Sequence, residues 1–325
     1  MTKYVISGYI GFDNFGDEAI AKVLTSHLKK LDAEKITVLS SNPHKTARLY
    51  DVYSANYLNF FKPILESDIL ISGGGSLLQD VTSLKSLIYY LTVIVTALVF
   101  NKKVIIFAQG FTPFKTKIGK FLTKFILKYC DKIYVRDAKS QEILGNMNIK
   151  SELVADPVFG MNVPLVEKKE GVGVQLRGFH TLTEDFLQNL AKKISETFNT
   201  ETIKLFSLQD SIDLPVLENF AEMLRKNGVN CEIYKNLTVE KATVELSKLE
   251  YLIGMRFHAN LVAAKAGVKV LGINYDIKVL NLAQHIGLPI IGLNEEIFDK
   301  EFEDLFKLDV QNYNIPTFNF PNISN

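Results

Sequence analysis

The feature that most constrains this chain is a device repeated along its length: a short run rich in β-branched residues, a turn of glycine or polar residues, then a helical pattern. In the first half the expected strands are Tyr4–Ser7, Lys35–Leu39, Ile69–Ser72, Val104–Ala108, Ile133–Val135 and Glu152–Ala155. Between the strands, Asp17 to Lys30 carries Ile20, Val23, Leu24 and Leu28 at helical spacing. Ile118 to Tyr129 is amphipathic, with lysines on one side. Strand and helix in alternation build a mostly parallel sheet wrapped by helices.

After Asp156-Pro157 the texture changes. Glu167-Lys168-Lys169-Glu170-Gly171 is charged and has no apolar period, as expected of a linker. The device then restarts with strands expected at Gly173–Leu176, Ile203–Phe206, Cys231–Tyr234, Tyr251–Ile253, Val270–Ile273 and Ile290–Ile291. At about 150 residues per domain, 325 residues suit two domains. The expected fold is therefore α/β, with two Rossmann-like, doubly wound domains facing across a cleft. The first spans residues 1–160, the linker 161–171, and the second 172–325 including the C-terminal tail.

A net charge of +1 provides no global field for nucleic acid, so any anion site must be local. Cys130 and Cys231 stand far apart and form neither a metal pattern nor a disulfide framework; they suit the core of a protein in a reducing compartment. Met1-Thr2-Lys3-Tyr4-Val5-Ile6 enters a strand at once and lacks the features of a signal peptide, so a cytoplasmic chain is expected. Leu87 to Phe100 is almost wholly apolar but falls short of the roughly 20 residues that cross a bilayer, which points to a buried helix. Lys117, Lys120, Lys124 and Lys128 share a helix with Phe121 and Phe125. That stripe fits either a solvated face or peripheral contact with the inner face of a membrane.

Polar and glycine clusters sit where strands are expected to end. Gly8 to Glu18 is a glycine-bearing loop running into a helix, a place where backbone N–H groups favour an anion, but the spacing of Gly8, Gly11 and Gly16 is not a dinucleotide fingerprint. Either Asp17 caps the helix or the loop touches ligand, with Asp13 and Asn14 suited to sugar hydroxyls. In the segment Ser72 to Ser83, Gly73, Gly74 and Gly75 would let a ligand approach the backbone. Ser76, Gln79, Asp80 and Ser83 cluster behind them, and the P-loop pattern is absent. Gln109 and Arg136 follow apolar strands; Arg136 either points into a ligand crevice or pairs with Asp137 or another carboxylate. Arg256 is a fixed cation suited to carboxylate or phosphate, and His258 carries a proton mobile near neutral pH, both at a strand-to-helix junction. On spacing alone they fit equally a structural arginine beside a satisfied histidine.

Taken together, Gly8 to Ala19, Ser72 to Asp80, Ala108-Gln-Gly110, Val135-Arg-Asp137, Ala155-Asp-Pro157, Met255-Arg-Phe-His258 and Asn274-Tyr-Asp-Ile-Lys278 resemble the polysaccharide pyruvyl transferases, nearest the CsaB type. Phe111-Thr112 and Gln175-Leu176 depart from the usual residues of that family. The resemblance implies a GT-B-like fold and transfer of pyruvate from phosphoenolpyruvate onto a sugar as a cyclic ketal. The implied acceptor is N-acetylmannosamine of a lipid-linked disaccharide, in building a cell-wall polymer that anchors surface-layer proteins. It implies donor-binding or catalytic roles for Arg136, Arg256 and His258, and places Tyr275 and Lys278 with the substrate-binding residues. Phosphoenolpyruvate would be a substrate; neither cofactor nor metal is expected. The alternative is a GT-B glycosyltransferase using a nucleotide sugar, since one fold serves many chemistries; a non-catalytic sugar-binding protein is a third class.

Overall fold

The computed structural model describes residues 2–81, 83–167, 169–296 and 298–323. Thr82, in the glycine-rich segment, and Lys168, in the expected linker, lie outside the described residues. The chain divides into two compact units, Met1–Met161 with Pro316–Asn325, and Asn162–Ile315.

The first unit runs β1 (Lys3–Ser7), α1 (Phe15–Lys30), β2 (Lys35–Ser40), α2 (Pro43–Tyr50), β3 (Tyr53–Asn56), α3 (Phe61–Leu65), β4 (Ile69–Gly73), α4 (Leu84–Val99), β5 (Lys103–Gln109), α5 (Lys117–Leu127), β6 (Lys132–Val135), α6 (Ala138–Gly145) and β7 (Glu152–Leu153). Its strands form one parallel sheet in the order β3-β2-β1-β4-β5-β6-β7. Side chains alternate across a strand, and here both faces are apolar. Val5, Leu70, Val104, Ile106 and Val135 pack with α4 residues such as Leu87 and Ile94. Ile6, Ile69, Ile71, Ile105 and Phe107 pack with Ala21, Leu24 and Leu28 of α1.

The second unit runs β8 (Val172–Gln175), α7 (Glu184–Thr197), β9 (Ile203–Phe206), α8 (Asp210–Lys226), β10 (Cys231–Tyr234), α9 (Val239–Ser247), β11 (Tyr251–Gly254), α10 (Phe257–Lys265), β12 (Lys269–Asn274), α11 (Ile277–Ile286), β13 (Ile290–Gly292) and α12 (Asp299–Lys307). Its parallel sheet has the order β10-β9-β8-β11-β12-β13. In both sheets the strand order reverses once, between β1 and β4 and between β8 and β11. Open α/β sheets bind ligands outside the carboxyl ends of the strands at such a point.

Three details differ from the sequence expectations. β3 is an additional edge strand; Tyr53-Ser-Ala-Asn is short and polar, Tyr53 is 65% exposed, and pairing with β2 supplies what periodicity did not signal. α4 buries only one face, through Leu87, Leu91 and Ile94, and leaves Ile88, Val95 and Val99 exposed. The C-terminal tail, expected with the second domain, belongs to the first unit from Pro316 onward. It lacks a helical period but alternates Phe318 and Phe320, and an extended apolar strip can pack along the elements of a sheet. Phe320 stacks on His27 at 3.5 Å and lies parallel to Phe107 at 5.9 Å; Ile323 is buried, and the Tyr134 hydroxyl donates to the Asn322 carbonyl at 3.1 Å.

Replacing Ile323 with alanine should lower the unfolding free energy of the first unit by about 2–4 kcal/mol, the usual cost of emptying a buried aliphatic site. Urea unfolding followed by hydrogen exchange in β5 and β6 measures it, and unchanged protection there would show that the tail does not support this unit.

Candidate active site

At the carboxyl edge of the first sheet, the loop after β1 is held by its own residues. Asn14 is the N-cap of α1, accepting from the Gly16 amide at 3.1 Å, so the cap is Asn14 rather than Asp17 and its carbonyl oxygen is committed. Asp13 adopts φ 57° and pairs with Lys45. Glu18, which the sequence reading passed over, is buried; it accepts from the Gly11 amide at 2.6 Å and from the Tyr50 hydroxyl, tying the loop to α2. Burial pushes its carboxyl above the ordinary value, against the opposing pull of the hydrogen bonds from Tyr50 and Gly11. Tyr9 and Phe12 stack at 4.3 Å beside this loop, and Tyr57 continues the aromatic row.

The glycine run after β4 answers to α1. Gly74 and Gly75 take φ of 61° and 70°, where side chains other than hydrogen are strained. A β-carbon on Gly74 would lie 2.3 Å from Ile20, and one on Gly75 2.6 Å from the Asp17 carboxylate. The direction in which a side chain would project from these two glycines is thus occupied by residues of α1. Three of the four polar residues behind the glycines are also spent on local structure. Gln79 accepts from the Val81 amide, Ser83 caps α4, and buried Asp80 accepts from the amides of Lys115 and Thr116. The fourth, Ser76, accepts from Arg136 at 3.2 Å.

Arg136 follows β6, and its side chain is largely buried. Its partner is Asp156 at 3.0 Å, with Asp137 at the 4.0 Å limit. Gly110 makes room for it: a β-carbon there would stand 2.9 Å from both Nε of Arg136 and Oγ of Ser76. Gln109 is fully buried, and its amide donates to the Ser72 carbonyl and hydroxyl at 3.1 and 2.8 Å. Through that amide it braces β4 to β5, while its buried Oε1 has no hydrogen-bond partner among the described residues.

In the second unit the sequence-selected pair sits beside the β8/β11 reversal. Arg256 is the N-cap of α10, with no side chain capping the helix. Its guanidinium is buried against Asp213 of α8: Nε lies 2.9 Å from Oδ2 and Nη2 2.6 Å from Oδ1, with Nη2 also donating to Gln209 at 3.1 Å. Asp213 accepts as well from the amides of Leu208 and Gln209 at 2.9 and 3.0 Å. Gln175, at the end of β8, accepts from the Arg256 amide at 2.7 Å and so ties β8 to the start of α10. His258 occupies the first turn of α10 and packs edge-on against Phe257 at 4.9 Å.

Across the reversal from Arg256 stands Arg177, just past β8. Its amide donates to the Met255 sulfur at 3.4 Å, and its Nη1 to the Tyr275 hydroxyl at 3.3 Å, while Phe179 meets Tyr275 edge-on at 4.9 Å. Tyr275 and Lys278 follow β12, where Asp276 caps α11. The structure therefore brings Arg256, His258, Tyr275 and Arg177 to one sheet edge. The signal for Arg177 was present, a cation directly after an apolar strand, as for Arg136 and Arg256. Asp213 had none, being one carboxylate among many in a helix.

The family model for polysaccharide pyruvyl transferase matches residues 14–277. The chain belongs to this family. The matched span takes in Arg136, Arg256, His258 and Tyr275, with Asp13 and Lys278 one residue beyond either end. Comparison with curated proteins finds no match. Among solved structures, this pyruvyl transferase family member is similar to the UDP-GlcNAc 2-epimerase from Methanocaldococcus jannaschii, with a TM-score of 0.66 and 12% identity over 98% of this chain and 96% of that one. It is similar too to the UDP-GlcNAc 2-epimerase from Neisseria meningitidis bound to UDP-GlcNAc, at TM-score 0.65 and 10% identity over 97% and 95%. These likenesses place the fold in the GT-B-like, two-unit Rossmann class.

Two measurements probe this geometry. Asp213→Ala strands the Arg256 charge in a buried site and should cost about 3–5 kcal/mol; a loss below about 1 kcal/mol in denaturant unfolding would mean the pair is solvated. For Glu18 the folded state holds the proton more tightly than the unfolded chain. Its contribution is therefore full below the ordinary carboxylate range and is lost as pH rises through the raised value. Thermal unfolding of wild type should weaken relative to Glu18→Gln as pH rises from about 4 to about 8. A pH-independent difference would contradict the raised value.

Proposed function

We propose that this transferase takes pyruvate from phosphoenolpyruvate and closes it as a cyclic ketal on a sugar, with N-acetylmannosamine of a lipid-linked disaccharide as the acceptor its motifs suggest. The observation that carries the reading is Arg256 and His258 at the uncapped start of α10, beside Arg177 at the strand-order reversal. The donor brings a carboxylate and a phosphate. Arg256, already paired with Asp213, is held rigid with Nη1 left as its remaining donor nitrogen, and the first amides of α10 favour an anion. Arg177 supplies the charge that the Arg256–Asp213 pair neutralises between its own members.

The chemistry needs three proton transfers, two of them through one imidazole. Protonated His258 gives its proton to the methylene carbon of the donor, leaving an oxocarbenium-like carbon flanked by the carboxylate. The sugar hydroxyl adds there and loses its proton to the now neutral imidazole. The C–O bond to phosphate breaks, and the second hydroxyl adds to the same carbon, its proton leaving with phosphate. The products are the ketal and inorganic phosphate, with no change in oxidation state. Asp13 is paired with Lys45, which favours His258 over Asp13 as the base. Arg136 keeps the donor-binding role that the family motif suggests.

His258→Ala should reduce phosphate release with a matched acceptor by about 10²–10⁴-fold, the usual share of a general acid; undiminished release would sink the assignment. Arg177→Met should raise the KM for phosphoenolpyruvate at least about tenfold, a loss of roughly 1.4 kcal/mol or more, with a smaller effect on kcat. Mass measurement on a panel of acceptor glycosides reads the pyruvyl gain directly. Thermal stabilisation by uridine or guanosine diphosphate, with none by phosphoenolpyruvate, would turn the reading to nucleotide-sugar transfer.

A further inference from the structure

One face of the first unit is unlike the rest of its surface. On α5, Ile118, Phe121 and Phe125 are 64%, 66% and 54% exposed, followed by Tyr129 at 59%. Phe121, Phe125 and Tyr129 are spaced four apart, so they form one ridge, with the Phe125 and Tyr129 rings 5.5 Å apart. The apolar surface continues onto α4 through exposed Val95 and Val99. Between the two helices lies a groove of about 630 Å³, lined in part by Val95, Leu98, Val99, Phe125, Ile126 and Tyr129. Leaving this much contiguous aromatic and aliphatic surface in water is unfavourable, and such patches mark interaction sites.

The charges say what covers it. Residues 117–128 contain Lys117, Lys120, Lys124 and Lys128 and no acidic residue. None of the four makes an ion pair among the described residues, whereas lysines elsewhere on the unit, such as Lys29, Lys35, Lys45 and Lys139, do. Lys102 and Lys103 also line the groove; the one carboxylate there, Asp131, accepts from the Val104 amide at 2.7 Å. Lysines at 120, 124 and 128 repel one another along the helix. A second copy of the same face would set cation against cation. Aromatic rings interleaved with unpaired lysines match instead an anionic lipid surface, rings entering the headgroup boundary and ammonium groups meeting phosphates.

We infer that the α4–α5 face is a membrane-docking surface for anionic lipid, with Phe121, Phe125 and Tyr129 as the inserting ridge and the α5 lysines as the electrostatic contact. Contact is peripheral: no helix among the described residues is long and apolar enough to cross a membrane. The inference does not rest on the donor or the ketal chemistry, but it would hold the enzyme where lipid-linked sugars are presented.

The test is co-sedimentation of the full chain with vesicles of phosphatidylcholine alone or mixed with phosphatidylglycerol. Binding is expected to the mixed vesicles and to weaken with salt. Lys120→Gln with Lys124→Gln should weaken it about 25-fold, roughly fivefold per lysine. Phe121→Ser with Phe125→Ser should weaken it at least as much, and since these side chains are exposed, both double variants should keep the wild-type melting temperature and act normally on a soluble acceptor. Absent binding by wild type, equal binding to neutral vesicles, or double variants that bind like wild type would each overturn the inference. So would self-association of wild type in sedimentation velocity that the phenylalanine variant abolishes, since the face would then join two copies. Normal vesicle binding by a chain that never consumes phosphoenolpyruvate would support this inference while refuting the donor reading.

Discussion

The organisation of the second unit depends on one buried ion pair, Arg256 with Asp213. Removing both charges from water is expensive, and such a pair is worth keeping only where every remaining donor and acceptor is met. Here Asp213 accepts two backbone amides besides the guanidinium, and Gln209 and Gln175 meet Nη2 and the backbone amide of Arg256, leaving Nη1 as its remaining donor. The carboxylate thereby fixes the loop after β9, the start of α8 and the start of α10 to the end of β8. What is bought is geometry: an arginine that cannot wander and a helix start whose first amides and His258 are aimed by a rigid frame.

The first unit solves the same problem in the same way. Arg136, also just past a strand, is held by Asp156, itself buried and 20 residues further on. Gly110 leaves the corridor through which the guanidinium reaches Ser76. In each unit a cation at the carboxyl edge of a parallel sheet is positioned by an aspartate remote in the chain, 20 residues later for Arg136 and 43 residues earlier for Arg256. The ridge of exposed aromatic residues on α5 belongs to a helical layer of this unit, and its lysines follow a different logic: Arg136 and Arg256 have carboxylate partners within their own units, whereas the α5 lysines make no ion pair among the described residues.

Much of the architecture was legible in the residue pattern. A strand of β-branched residues and a helix of period 3.6 are local properties, so the alternation announced two parallel sheets and most of their strands. The cluster of Arg256 and His258 was legible because both stand at a strand-to-helix junction. β3 was not, since a polar edge strand owes its conformation to its neighbour. Neither was the bracing of β4 to β5 by the Gln109 amide, which rests on its burial against Ser72.

By itself, then, the sequence determined most of the strands, their alternation with helices, and which polar residues stand at strand ends, because each depends only on neighbours a few positions away. Only the tertiary structure decided that Asp213 would claim Arg256 from 43 residues distant, that Ile20 and Asp17 would fill the space above Gly74 and Gly75, and that the tail would return to the first unit. Those outcomes rest on burial and on pairing between groups remote in the chain. Many carboxylates, helices and apolar strips were equally available in the letters, and only packing selects among them.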